Sequence, residues 1–344
     1  MAASRSDPMN AEPDLDARCR ALVADLGLGT AAEVASVTHL TGGVASDIAR
    51  VVVHGTSYCA KFALARLRVA QDWRAPVHRS RAECAWLSRA GEIVPGIAPK
   101  VVGYSDPLQG FLMEDVSGPD IYLWKTAMLS GASRGEEAAL VAAPLAQIHA
   151  AGAAPGFDRH PFRNAADFRA IRTDPYLRAT AAHHPDLAPR LLDLADAIDA
   201  ATTTLVHGDV SPKNILVRTG APVFLDAECA TMGDPAFDVA FCINHLALKA
   251  AHLPANRQPL LAAMHAFWAS YASGITWEDA GALQARVATL QPALMLARID
   301  GKSPVEYLDD ATRAHVRHIA RALILDAPDT IATLTARLER TLTP

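Results

Sequence analysis

His207-Gly208-Asp209-Val210-Ser211-Pro212-Lys213-Asn214, followed after a short strand by Leu225-Asp226-Ala227-Glu228, is the stretch on which the reading of this chain turns. It sets an acid and a carboxamide five positions apart, then two acids two positions apart. An apolar run precedes each acidic element, in TLVHGDV (204–210) and PVFLDAE (222–228), which read as two short strands linked by PKNILV. Taken singly, Asp209, Asn214 and Asp226 are ordinary turn or strand-end residues. Their order and spacing together are not explained by turn chemistry.

Outward from this stretch the chain divides in two. On the N-terminal side VTHL, IARVVVHG and SYCAKFAL are rich in β-branched and aromatic residues and are broken by Thr41 to Gly43 and by His54-Gly55-Thr56, which predicts three antiparallel strands. Helical spacing returns from Arg79 to Ala90, and PKVVGYSD and GFLMEDV then read as a hairpin turning at Asp106-Pro107 and Gly110. A further helix from Leu15 to Leu26 precedes the strands, and residues 1–14 read as a flexible tail. The expected architecture is α+β: an N-lobe over 15–116 with a five-stranded antiparallel sheet plus helix, and a larger, mainly helical lobe over 117–344. Helices are expected in this second lobe at Ile121 to Leu129, Glu136 to Ala151 and Leu187 to Ala200.

H-G-D-x-x-x-x-N followed by D-x-E resembles the aminoglycoside phosphotransferase and choline kinase group, small-molecule kinases that share the two-lobed protein-kinase fold. The resemblance implies an ATP-dependent, magnesium-dependent transfer of the γ-phosphate to a hydroxyl. Asp209 is then the catalytic base, and Asn214 and Asp226, with Glu228 beside them, supply oxygen ligands to the metal. Lys61, in the third strand, stands where that fold places the lysine that grips the phosphates, with Glu83 as its helix partner. Gly42, Gly43 and Ser46 belong to the loop covering the phosphates, and Glu114 to Val116 resemble the hinge that holds the adenine edge by its backbone. His207 is expected to hold the catalytic loop. Asp238, in Gly233-Asp234-Pro235-Ala236-Phe237-Asp238, is expected to cap a helix and bond that loop. Arg79, Arg81 and Arg89 are expected to face solvent or cap the sheet. Arg298, Asp300 and Lys302, the most polar interruption of the late helices, are candidates for the acceptor pocket.

Composition narrows the alternatives. With 344 residues, 51% hydrophobic and 20% charged, the chain can bury a large core, and a net charge of -5 provides no field for nucleic acid or an anionic membrane. No apolar run is long enough to span a bilayer and the first residues lack a secretory core, so a cytoplasmic protein is expected. The five cysteines stand singly, so reduced thiols are expected, and the thirteen histidines show no zinc-site spacing. Oligomeric state leaves no signal in the sequence. The expected partners are a nucleoside triphosphate and a small hydroxyl acceptor such as a sugar, sugar derivative or amino alcohol. The rival readings are an aminoglycoside O-phosphotransferase, disfavoured by the mixed charge of the last third, and a nucleotide-binding pseudokinase or protein-kinase-like scaffold, disfavoured by retention of the acids and Lys61.

Overall fold

The computed structural model describes residues 14–40, 45–68 and 73–342. Helix α1 (Leu15–Asp25) precedes a sheet built from β1 (Val34–Leu40), β2 (Ser46–Val53), β3 (Thr56–Ala63), β4 (Val101–Ser105) and β5 (Gly110–Glu114), with α2 (Arg79–Ile93) between β3 and β4. All neighbouring strands run antiparallel, in the order β1-β2-β3-β5-β4. This is the expected five-stranded lobe. Apart from Asp14, the expected tail lies outside the described residues.

Alternation along β3 divides the interior. Ala60 and Phe62 face a core closed by Cys19, Leu22 and Val23 of α1. Cys59 lies on the opposite face, in a core shared with Trp86 and Leu87 of α2, and Lys61 has the same parity. That larger core continues into the helical lobe.

The second lobe departs from expectation at its start. Ile121 to Leu123 forms β6, and α3 (Trp124–Leu129) begins only after it. Pairing explains the difference: Ile121, Tyr122 and Leu123 register against Arg218, Val217 and Leu216, so sheet bonding outcompetes helical spacing over these three residues. Next come α4 (Ala138–Ala153), a short α5 (Ala165–Phe168), a π-wound segment Arg169–Arg178, α6 (Ala179–His183) and α7 (Ala188–Ala200). Four short strands flank the quoted motif: 207–214 joins β7 (Thr204–Val206) to β8 (Ile215–Arg218), and 225–228 lies between β9 (Ala221–Phe224) and β10 (Thr231–Gly233). The presumed linker is itself a strand, β8, which bonds β6 on one side and β9 on the other, while β10 pairs with β7. Helices α8 (Pro235–His252), α9 (Arg257–Ala272), α10 (Ala280–Asp300), α11 (Asp310–Leu325) and α12 (Ile331–Leu342) complete the lobe. All five cysteines are buried and unbridged. No described helix is long and apolar enough to cross a membrane.

Two glycines in helices make opposite predictions. A Cβ on Gly152 of α4 would meet the Leu205 backbone nitrogen at 2.5 Å, whereas one on Gly91 of α2 meets nothing within 4 Å. Gly152→Ala is expected to destabilise the protein by about 1–3 kcal/mol and Gly91→Ala to stabilise it by about 0.4–1 kcal/mol, as read from urea unfolding midpoints.

Candidate active site

The strand β7 ends at Val206, and the loop that follows is shaped by one acid. Asp238 is fully buried in the first turn of α8, where its Oδ2 accepts the His207 N–H at 2.6 Å and its Oδ1 accepts the Gly208 N–H at 2.7 Å. His149 Nε2 also donates to Asp238, at 3.2 Å, while Nδ1 of the same ring accepts the Tyr271 hydroxyl at 2.6 Å. The helix cap itself is Asp234, which accepts the Ala236 N–H at 2.9 Å, so of the two expected roles Asp238 keeps only the loop bonds. Gly208 is left-handed at φ 78°, and a Cβ there would stand 2.6 Å from that of Cys229. His207 is structural, as expected. Its Nδ1 accepts the Asp209 N–H at 3.1 Å and its Nε2 donates to the Leu225 carbonyl at 3.1 Å, which ties the loop to the segment bearing Asp226. Burial holds its ring pKa below the ordinary value despite Asp238 nearby, so it stays neutral.

This turn directs Asp209 into an asymmetric environment. Its Oδ2 meets Arg172 at 2.8 Å and Lys213 at 2.9 Å. Its Oδ1 is buried and has no partner among the described residues. Burial raises the carboxyl pKa, but Arg172 and Lys213 outweigh it and keep Asp209 ionised. Asn214 lies behind, its amide nitrogen donating to the Asp209 carbonyl at 3.1 Å. Arg172 is the residue that sequence reasoning missed. It sits in the π-wound segment, and its Nε also bonds the Gly208 carbonyl. No hydrophobic period marks such a turn, and a buried arginine looks in sequence like any surface one.

Lys61 is almost fully buried, 2.8 Å from Glu83 of α2 and in direct contact with Asp226. Burial opposes its charge, but Asp226 and Glu83 overcome this and raise its pKa. Asp226 sits at φ 66°, outside β9, and Lys61 and Lys213 hold its carboxyl below the ordinary range against burial. Leu225 N–H bonds the Asn214 carbonyl at 2.8 Å, so the two candidate metal ligands belong to one bonded unit. Arg79 corrects an expectation. It is fully buried, bonds Glu228 at 2.8 Å, and donates to the carbonyls of Ala45, Ala75 and Pro76. The reason is local: Glu228 brings a carboxylate inside and requires a cation there. Arg81 and Arg89 do face solvent, beside Asp106 and Glu92.

Gly42 and Gly43 lie outside the described residues. Ser46, next to that loop, has a buried hydroxyl with no partner among the described residues. Glu114 pairs with Arg218 at 2.7 Å and Asp115 with Arg50 at 2.6 Å, so both hinge acids are engaged with protein. The Val116 N–H makes no hydrogen bond among the described residues, which leaves a backbone donor at the hinge.

The acceptor candidates separate. Asp300 is bound by His184 at 2.8 Å and by both Arg317 nitrogens at 2.7 Å, so it is engaged at α11 and is not brought to Asp209. Lys302 is half-buried, and its N–H bonds the Pro175 carbonyl at 3.0 Å. Arg298 alone points back. It reaches the Tyr176 hydroxyl at 3.3 Å, and the Tyr176 ring also lies 5.8 Å from the Arg172 guanidinium.

Comparison with known proteins agrees with this geometry. Residues 36–274 match the phosphotransferase enzyme family. An aminoglycoside phosphotransferase from Alicyclobacillus acidocaldarius has the same fold, with 16% identity, a TM-score of 0.52, and 98% of this chain and 99% of that one covered. A choline/ethanolamine kinase family protein from Mesorhizobium loti is similar at 15% identity and TM-score 0.51, covering 94% of this chain and 98% of that one. No curated protein matches the sequence significantly. With a protein-kinase-like lobe pair, a paired lysine and glutamate beside Asp226, and a family match over more than half its length, the chain belongs to the phosphotransferase enzyme family.

Proposed function

We propose that the protein transfers the γ-phosphate of ATP to a hydroxyl of a small molecule, with Asp209 as catalytic base. One observation carries this reading: Asp209 is held ionised through Oδ2 by Arg172 and Lys213, while the buried Oδ1 stands without a partner. A carboxylate so arranged is ready to accept one hydrogen bond, that of an incoming hydroxyl.

In the proposed step the hydroxyl donates to Asp209 Oδ1 and its oxygen attacks the γ-phosphorus. The bond to the bridging oxygen breaks, that oxygen leaves with its electron pair on ADP, and the hydroxyl proton passes to Asp209. Lys61, positioned by Glu83, binds the phosphates, and the Val116 backbone together with the loop of Gly42, Gly43 and Ser46 holds the nucleotide. The donor set suits magnesium, since the Asp226 carboxylate and the Asn214 carboxamide oxygen are hard ligands on one bonded unit. Bound there, the ion supplies charge neutralisation at the phosphates. Glu228 supports that unit through Arg79.

Magnesium-dependent ATP consumption measured against a panel of sugars, amino alcohols and aminoglycosides tests the reading. Turnover lost on Asp209→Asn supports it, and nucleotide binding without turnover across the panel would favour a pseudokinase. Asp209→Asn is expected to lower kcat by about 10²–10⁴-fold with nucleotide affinity unchanged. Arg172 touches no reacting atom and acts by positioning the base. Arg172→Gln is therefore expected to lower kcat by roughly tenfold, the equivalent of about 1.4 kcal/mol in the barrier, with the Michaelis constant for ATP unmoved. A merely structural residue would change both with stability.

A further inference from the structure

Helix α8 holds the catalytic loop through Asp238, and two and three turns further along the same face it carries His245 and Lys249. Both are buried, at 5% and 1% exposure, in a stretch of helix whose other residues are apolar except for the buried Asn244. Lys249 makes no hydrogen bond or ion pair among the described residues, and its ammonium lies 5.3 Å from the centre of the Tyr307 ring. Three neighbouring groups are also without a hydrogen-bond partner among the described residues: His245 Nε2, Arg298 Nε and the Tyr307 hydroxyl. Arg298 donates through Nη1 to Ser303 and Tyr176, but no carboxylate bonds it among the described residues.

These groups are joined to the catalytic base. The Phe241 ring packs against the His245 ring at 5.2 Å, against Tyr176 at 5.6 Å, and lies 5.8 Å from the guanidinium of Arg172, which grips Asp209. The wall running from Asp209 to Lys249 is rich in cations: Arg172 and Lys213 share the one charge of Asp209, Lys125 takes up the nearby Glu306, and no acid is paired with Lys249 or Arg298 among the described residues. Burying a cation without a counter-ion is strongly unfavourable, so its retention points to a charge that arrives with a ligand.

We infer that the acceptor is an anionic alcohol, a small hydroxyl compound whose carboxylate or phosphate group is bound by Lys249, Arg298 and the Tyr307 hydroxyl while its hydroxyl faces Asp209. This rests on the phosphotransferase reading and names its substrate class. His245, kept neutral by burial and by the surrounding cations, supplies a hydrogen bond and no charge. Phosphoryl transfer proceeds as above, and the anionic group only binds. The groups facing the Lys249 ammonium are Lys125 of α3, Arg298 of α10, Glu306 and Tyr307 of the loop after α10, and Cys242 and His245 of its own helix. Burial, then Lys125 and Arg298, pull the Lys249 pKa down to about 7, so an arriving anion takes up a proton there at neutral pH.

The test uses the full chain with MgATP. Gluconate and ribose 5-phosphate are compared with uncharged ribose, choline and streptomycin as acceptors, and each anion, with inorganic phosphate as the minimal probe, is titrated calorimetrically in two buffers of different ionisation enthalpy. Expected are a kcat/KM at least tenfold higher for one of the anions than for ribose, and proton uptake on anion binding at pH 7. Lys249→Met is expected to weaken anion binding tenfold or more, leave the Michaelis constant for ATP unchanged, and raise the melting temperature. A purely structural lysine would give the reverse stability change. Turnover preferring ribose, choline or streptomycin would overturn the inference while leaving the kinase reading intact. Absence of anion binding, or binding indifferent to Lys249→Met, would overturn it whatever the turnover.

Discussion

One buried carboxylate sets the geometry of the site. Asp238 takes two successive backbone N–H groups from His207 and Gly208 and a third bond from His149, and its place in the first turn of α8 adds the favourable end of the helix dipole. An uncompensated acid at zero exposure would be intolerable; with these partners it is a fixed point. From it the loop acquires its left-handed Gly208, the outward turn of Asp209, and the His207 ring that reaches the Leu225 carbonyl. That ring also meets the edge of Trp86 at 4.6 Å, so the helix carrying Glu83 is packed against the loop carrying Asp209. The Lys61–Glu83 pair and Asp209 are thereby held by one contiguous set of contacts.

Around this frame the charges are paired before any nucleotide binds. Lys61 lies between Glu83 and Asp226, and Arg79 between Glu228 and three backbone carbonyls. In the phosphotransfer reading, arriving phosphates compete for Lys61 and release Asp226 for the cation that accompanies them. Glu83 then keeps Lys61 in place, and Glu228 stays with Arg79. The two acids of the D-x-E pattern thus have different neighbours because period-two alternation sends positions two apart to one side only within a strand, and both lie beyond the end of β9.

Much of this was legible in the sequence. The two lobes follow from a change of hydrophobic period, the parity of β3 places Lys61 opposite the α1 core, and the spacing of 209, 214 and 226 survives as a bonded unit. What escaped is what periodicity does not encode. Ile121 to Leu123 is helical by spacing but is captured by β8, ninety-odd residues away in the chain. Arg79 is expected to face solvent or cap the sheet and Arg172 draws no expectation at all, yet both are interior partners of acids. Asp300 and Arg298 are two residues apart in one polar stretch, yet helical rotation sends the first to Arg317 and the second to Tyr176, so only one belongs to the catalytic side. His245 and Lys249 did leave a mark, as two basic residues four apart inside an apolar helix, and that mark is meaningful only once the helix is known to be buried all round.

The cationic wall also bears on catalysis. Arg172 and Lys213 keep Asp209 ionised, and the same attraction makes it a weaker base toward a hydroxyl proton. A cationic or neutral acceptor leaves that field in place, and a cation adds to it. In the anionic-acceptor proposal, the negative charge of the acceptor offsets part of the positive potential that Arg172 and Lys213 set at Asp209, which restores basicity as the hydroxyl arrives. Selection of the acceptor and activation of its hydroxyl would then draw on a single electrostatic feature, and the unpaired lysine that burdens the folded state would gain its counter-charge only in the productive complex.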